Sequence, residues 1–162
     1  MDARIGTFGR EPVAVPAGGG EARWWTGSLA VIRATAADTG GALTIVDVTD
    51  PPGAATPLHV HHREDETFLV LEGEATVTVG DLEVEARAGD LVIGPRAVPH
   101  RYVAGPAGCR LLLICTPGGF EGLVRATSEP AARRELPPPS AEEPDWGAIH
   151  AAAVAHGCEL VG

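Results

Sequence analysis

The chain has no lysine, and all twelve of its basic residues are arginine. Schiff-base chemistry and any catalytic lysine are thereby excluded. Cysteine is scarce: Cys109, Cys115 and Cys158 stand far apart and are odd in number, so they form neither a disulfide framework nor a cysteine zinc motif. They read as reduced thiols, and a cytoplasmic location is expected. Positive charge is outweighed, with a formal net charge of −10; nucleic acid and anionic membrane surfaces are not expected partners. No apolar run approaches membrane length, and Met1–Thr7 lacks the apolar stretch of a secretory leader. A helix-turn-helix segment and an internal repeat are also missing.

What is present centres on Gly53-Ala-Ala-Thr-Pro-Leu-His59-Val-His61-His-Arg-Glu-Asp-Glu66-Thr-Phe-Leu-Val-Leu-Glu-Gly73. Side chains alternate along an extended strand, so His59 and His61 share a face while Val60 and His62 point away. A tight turn resets the register. Glu66, Phe68 and Val70 then share one face, and Gly73 closes the strand. Two imidazoles and a carboxylate converging on a cavity are ligands that a divalent transition metal accepts. A second stretch, Gly89 to Ala104, carries His100 in a Pro-bounded strand that can complete a three-His, one-Glu set.

At these residues the chain resembles the cupin superfamily. Gly53, His59, His61, Glu66 and Gly73 match the first pattern of that family, G-x5-H-x-H-x4-E-x6-G, at every position. Gly89, Pro95 and His100 follow the second, but Ala97 stands where the family has Gly and Ala104 where it has Asn. The resemblance implies an all-β, double-stranded β-helix (jelly-roll) barrel with short C-terminal helices. It also implies one divalent transition metal held by His59, His61, Glu66 and His100. Iron, manganese or nickel is expected, with zinc also admitted.

Along the chain, 162 residues suffice for one domain with a sizeable core. Residues 1–22, rich in Gly and Pro, read as an arm. The barrel is expected over 23–117, opening with a strand from Trp24-Trp25 to about Ala36 and continuing as many short strands bounded by Gly or Pro. Separate strands are expected at 66–72 and 75–79, and again at 100–103 and 109–116. A helical extension over 118–162 should pack on the barrel. Within it, 120–127 and 145–156 read as helices, the second docking on the barrel or a partner through Trp146, Ile149 and Val154, and 158–161 as a last strand. Glu64, Asp65, Glu72 and Glu74 are expected at the surface.

For function, the leading expectation is a metal-dependent dioxygenase of the quercetinase-like type, acting on a small enol, flavonol or polyphenol. In that reading Glu66 is both ligand and general base. Phe68 and Val70 make the cavity wall apolar, and Tyr102, the only tyrosine, faces the substrate. A non-redox, metal-dependent cyclase or isomerase is a second class, and a small-ligand-binding cupin without catalysis a third. A homodimer is expected, with the Trp-bearing strand and the tail as candidate contacts.

Overall fold

A computed structural model describes residues 11–162, so the first ten residues of the expected arm lie outside it. The element order is β1 Glu21–Trp25, β2 Ser28–Ala34, β3 Thr44–Asp50, β4 His59–His61, β5 Asp65–Val79, β6 Leu82–Arg87, β7 Leu91–Gly94 and β8 His100–Thr116. Then follow α1 Phe120–Ala126, β9 Glu129–Pro130, α2 Trp146–Ala155 and β10 Cys158–Leu160. The strands hydrogen-bond in the order β10-β4-β8-β3-β2-β1-β9, and β5 joins β8 to β6 and β7. All pairings are antiparallel, and the ladder among the described residues does not close into a ring. This is the jelly-roll fold.

Two long strands make the frame. Where the sequence suggests two short strands each, β5 and β8 run unbroken for 15 and 17 residues. Each changes face part-way. In β5 the buried side chains are Glu66, Phe68 and Val70, then Ala75, Val77 and Val79. In β8 they are His100, Tyr102 and Ala104, then Cys109, Leu111, Leu113 and Cys115. Even positions point inward before the switch and odd positions after it. The extra residues sit in bulges beside Gly73, and Gly73 pairs with Cys109 next to Gly108. Gly73 (φ +71°) and Gly108 (φ +77°) both take the left-handed conformation that glycine tolerates. Gly73 therefore bends its strand and does not close it.

The expected strand from Trp24 to Ala36 is likewise a hairpin, broken at Thr26-Gly27, both with positive φ. Trp25 packs edge-on against Phe120 at 6.0 Å and donates its indole N–H to Thr127. Trp24 donates to the Glu135 carbonyl, so both tryptophans are engaged within the chain. The free edge of β1 is covered by β9.

The C-terminal segment joins the sheet: β10 pairs with β4, setting Cys158 opposite His61. Helix α2 begins at the expected place, with the Asp145 carboxylate accepting from the Ala148 N–H at 3.0 Å. Its Val154 does not dock on the barrel, being 53% exposed, because Ala153 is the residue turned inward. Neither helix is long and apolar enough to cross a membrane.

Helix α1 is pinned by Glu121, a buried carboxylate. It accepts from the Ala36 N–H at 2.9 Å, the Gly119 N–H at 3.1 Å and the Thr44 hydroxyl. Each bond contributes about 1 kcal/mol, and orphaned buried partners add to the loss. Glu121→Ala is expected to lower the unfolding free energy by about 3 kcal/mol. Urea denaturation reads this directly, and a change below about 1 kcal/mol would show that Glu121 is not the anchor.

Candidate metal centre

Three strands deliver the four candidate ligands. β4 carries His59 and His61 on its inner face, held between β10 on one side and the start of β8 on the other, where His59 stands opposite His100. β5 brings Glu66 and β8 brings His100. One donor atom from each residue lies within 4.8 Å of the other three. Glu66 Oε2 is 2.9 Å from His100 Nε2, 3.3 Å from His61 Nε2 and 3.9 Å from His59 Nε2. His61, Glu66 and His100 are almost wholly enclosed, and His59 is the partly open member.

The outer nitrogens set the inner ones. His59 Nδ1 lies 2.8 Å from the Pro57 carbonyl and His100 Nδ1 3.0 Å from the Val98 carbonyl. A carbonyl only accepts, so both Nδ1 atoms carry protons, and a bound metal would find both Nε2 atoms with a lone pair to offer. The third imidazole differs. His61 Nδ1 and Nε2 are buried without a hydrogen-bond partner. A buried ring nitrogen left without a partner is costly, and a cation bonded to Nε2 in place of a proton would satisfy it. The donor set of three imidazoles and one carboxylate fits a divalent transition metal.

Electrostatics agree with that fit. Burial alone would raise the Glu66 carboxyl, but the His100, His59 and His61 imidazoles beside it hold it well below the usual carboxylate range. Burial disfavours the charged form of His61, yet Cys158, Glu64 and Glu66 together push it up to about 12. The cluster is thus a place where positive charge is stabilised.

The two departures from the family pattern are accommodated. Ala97 takes φ +63°, the conformation for which the family uses glycine; a non-glycine residue there costs about 1–2 kcal/mol. Its N–H donates to the His61 carbonyl at 2.7 Å, and neighbouring Arg96 forms a two-point pair with Asp65. Ala104 is buried in β8, its N–H donating to Ala54.

Beside the quartet lies a cavity of about 100 Å³. Trp25, Val48, Phe68, Leu113, Phe120 and Ile149 give it an apolar wall. Phe68 lines it as expected. Val70 does not: it lies two residues beyond Phe68, about 13 Å along the strand from Glu66, packed in the core opposite Leu111. The Tyr102 ring also lines the cavity, but its hydroxyl donates to Asp50 Oδ2 at 2.8 Å. His62 points outward and pairs with Glu159 at 3.2 Å.

Three contributors were not legible in the sequence. The helical tail supplies cavity wall through Phe120, Leu123, Ile149 and Ala153; the spacing of Phe120 and Leu123 on one helix face was the available signal. Glu64, expected at the surface, is 5% exposed and faces His61, because the short β4–β5 turn folds it back under that ring. Asp50 is buried on the cavity wall with only neutral partners: Ser28 at 2.5 Å, Tyr102 at 2.8 Å and Cys109 at 3.7 Å.

Burial raises the Asp50 carboxyl above its ordinary 3.8, against the lowering effect of those hydrogen bonds. A folded-state value above the unfolded one means that the fold holds the proton more tightly. The stability this group contributes is therefore fully present below pH 3.8 and is lost as pH rises through the folded value. Asp50→Asn cannot ionise, so its stability relative to the parent should improve as pH rises from about 4 to about 7. Parallel chemical denaturation across that range checks the slope; a constant difference would contradict it. Cys109 and Cys115 are inert by the same physics, with burial pushing the Cys109 thiol up to about 12 and Cys115 well above its ordinary value.

Comparison with known proteins agrees with this geometry. The family model of the cupin domain matches residues 46–115, the stretch from β3 to the end of β8. Quercetin 2,3-dioxygenase of Bacillus subtilis (strain 168) is 30% identical over 132 residues, covering 82% of this chain and 39% of that enzyme. The chain spans less than half the length of the curated relatives it matches. An oxalate decarboxylase structure from Bacillus subtilis superposes with a TM-score of 0.57 at 25% identity, over 67% of this chain and 31% of that one. An RmlC-like cupin from Shewanella frigidimarina gives 0.58 at 23% identity, over 68% and 96%. With its jelly roll, its matched domain and its three-His, one-Glu cluster, the chain belongs to the cupin superfamily.

Proposed function

We propose that this metal-dependent cupin is a dioxygenase acting on a small enol or polyphenol. The observation that carries the reading is the lining of the cavity beside the quartet. It is largely apolar, and among the described residues no arginine lines it. Beyond the metal-site residues, the only charged side chain among the described lining residues is the acidic Asp50. A dicarboxylate or sugar acid would meet an acid and no side-chain counter-charge beyond the metal itself, which leaves its second charge unpaired in a site of low polarity. A neutral enol or phenol meets no such penalty and carries the oxygen that a metal accepts. Sequence similarity to a quercetin 2,3-dioxygenase supports the oxidative form of this chemistry.

Size narrows the class. An apolar cavity of about 150 Å³ admits benzene, and this one is about 100 Å³. A small enol is therefore favoured over a fused-ring flavonol, which is far larger than benzene.

A bound redox-active metal would supply a relay through which an enolate gives electrons to dioxygen. The chain's own groups do the rest. Glu66 is the only carboxylate in the quartet, and its carboxylate oxygens would accept the enol proton. His59, the partly open ligand, borders the side from which substrate arrives. Phe68, Phe120 and the Tyr102 ring hold the apolar body and exclude water.

The test is an oxygen-electrode trace of iron-, manganese- or nickel-loaded protein against catechols, small 1,3-diketone enols and flavonols. Uptake with the small enols supports the reading. Absence of uptake across the panel, with turnover under anaerobic conditions in zinc-loaded protein, would replace it by cyclase or isomerase chemistry.

A further inference from the structure

Building on the metal-site reading, we propose that Glu64 is a positioning residue that orients His61 and tightens metal binding through it. The three imidazoles are not held alike. His59 and His100 give their outer N–H to backbone carbonyls, neutral acceptors fixed by the chain. His61 has no backbone acceptor. The atom facing its Nδ1 is Glu64 Oε2, at 3.5 Å, and neither atom has another partner.

Glu64 is enclosed, and among the described residues its only ion pair is with His61. Burying a carboxylate without donors is unfavourable, and 3.5 Å is too long for a strong hydrogen bond. The arrangement gains its return when a cation sits on Nε2. The imidazole then becomes a stronger donor at Nδ1, and the carboxylate adds a negative charge one ring away from the metal. The ring has little freedom to compensate, since Phe120 packs edge-on against it at 5.4 Å and Cys158 stands across the strand pair. The Glu64 carboxylate is thus a specific support for one ligand.

The test compares the parent, Glu64→Gln and Glu64→Ala in cobalt(II) titrations by calorimetry, with the cobalt visible spectrum and the melting temperature of metal-free protein recorded alongside. Both variants should bind cobalt about 10–100-fold more weakly and show altered ligand-field bands. Their metal-free melting temperatures should stay near the parent's, because the 3.5 Å contact with His61 returns little against the cost of burying the Glu64 carboxylate. A structural role alone predicts the reverse: lower metal-free melting temperature with unchanged cobalt affinity and spectrum. That result would overturn the proposal, as would unchanged affinity at any stability. A parent protein that binds no cobalt would overturn the metal reading itself. A parent that binds cobalt beside variants that bind it equally would overturn the role of Glu64 alone.

Discussion

Glu66→Gln is expected to yield protein that is folded but essentially metal-free. The substitution keeps shape and volume in a site with no room to adjust, since Glu66 and His100 are at most 2% exposed. What changes is charge and denticity. Glu66 is the one anionic member of the quartet, and its Oε2 lies within 3.9 Å of all three inner nitrogens. Loss of a supporting residue around a metal site costs about 10–100-fold in affinity, and loss of the charged ligand itself should exceed that. Elemental analysis after identical purification should find less than about a tenth of the parent's metal in Glu66→Gln and in His59→Ala. His62→Ala, altering an exposed ring paired with Glu159, should keep its full complement. Unchanged metal in Glu66→Gln would remove the carboxylate from the ligand set.

Gly73→Ala should be among the most damaging single-methyl additions in the chain. Gly73 has φ +71°, and a Cβ there would lie 2.3 Å from the Gly108 carbonyl oxygen. The contact is with backbone, so no side-chain rotation relieves it. The left-handed conformation costs about 1–2 kcal/mol for a non-glycine residue, and forced overpacking adds about 1–3 kcal/mol. A loss near 4 kcal/mol lowers the melting temperature by roughly 10 °C in a chain of this size. Gly53→Ala is the informative comparison: its φ is +72°, but nothing lies within 4 Å of the added methyl, so only the conformational part should appear. Equal melting temperatures for the two variants would show that the close crossing of β5 and β8 does not matter.

The same crossing explains where the sequence misleads. Gly73 and the 105–108 segment look like strand ends, because glycine and proline punctuate chains. In the fold they are bends that carry β5 and β8 through their change of face while pairing continues. Local punctuation cannot distinguish a bend from a stop, because the difference lies in which strand lies alongside. The metal quartet was legible because its spacing is local: His59 and His61 by alternation, Glu66 after one turn. His100 came from the family pattern, since a contact 34 residues from Glu66 leaves no periodic trace. Ala97 shows the pattern tolerating a departure, as alanine adopts the backbone angle its glycine would take. Glu64 was misread for the opposite reason. Acidic residues in turns are usually solvated, and only the packing of His61 reveals that this one is enclosed. Asp50 carried no signal either, as its donors come from β2 and both halves of β8.

The central claim is that His59, His61, Glu66 and His100 hold a divalent metal. Equilibrium titration of metal-stripped protein with manganese, iron, nickel and zinc ions, under anaerobic conditions, tests it most directly. Saturable binding of about one ion per chain, abolished in His61→Ala, is the predicted result. Failure to bind any of the four ions, or binding that survives in His61→Ala at full stoichiometry, would contradict it.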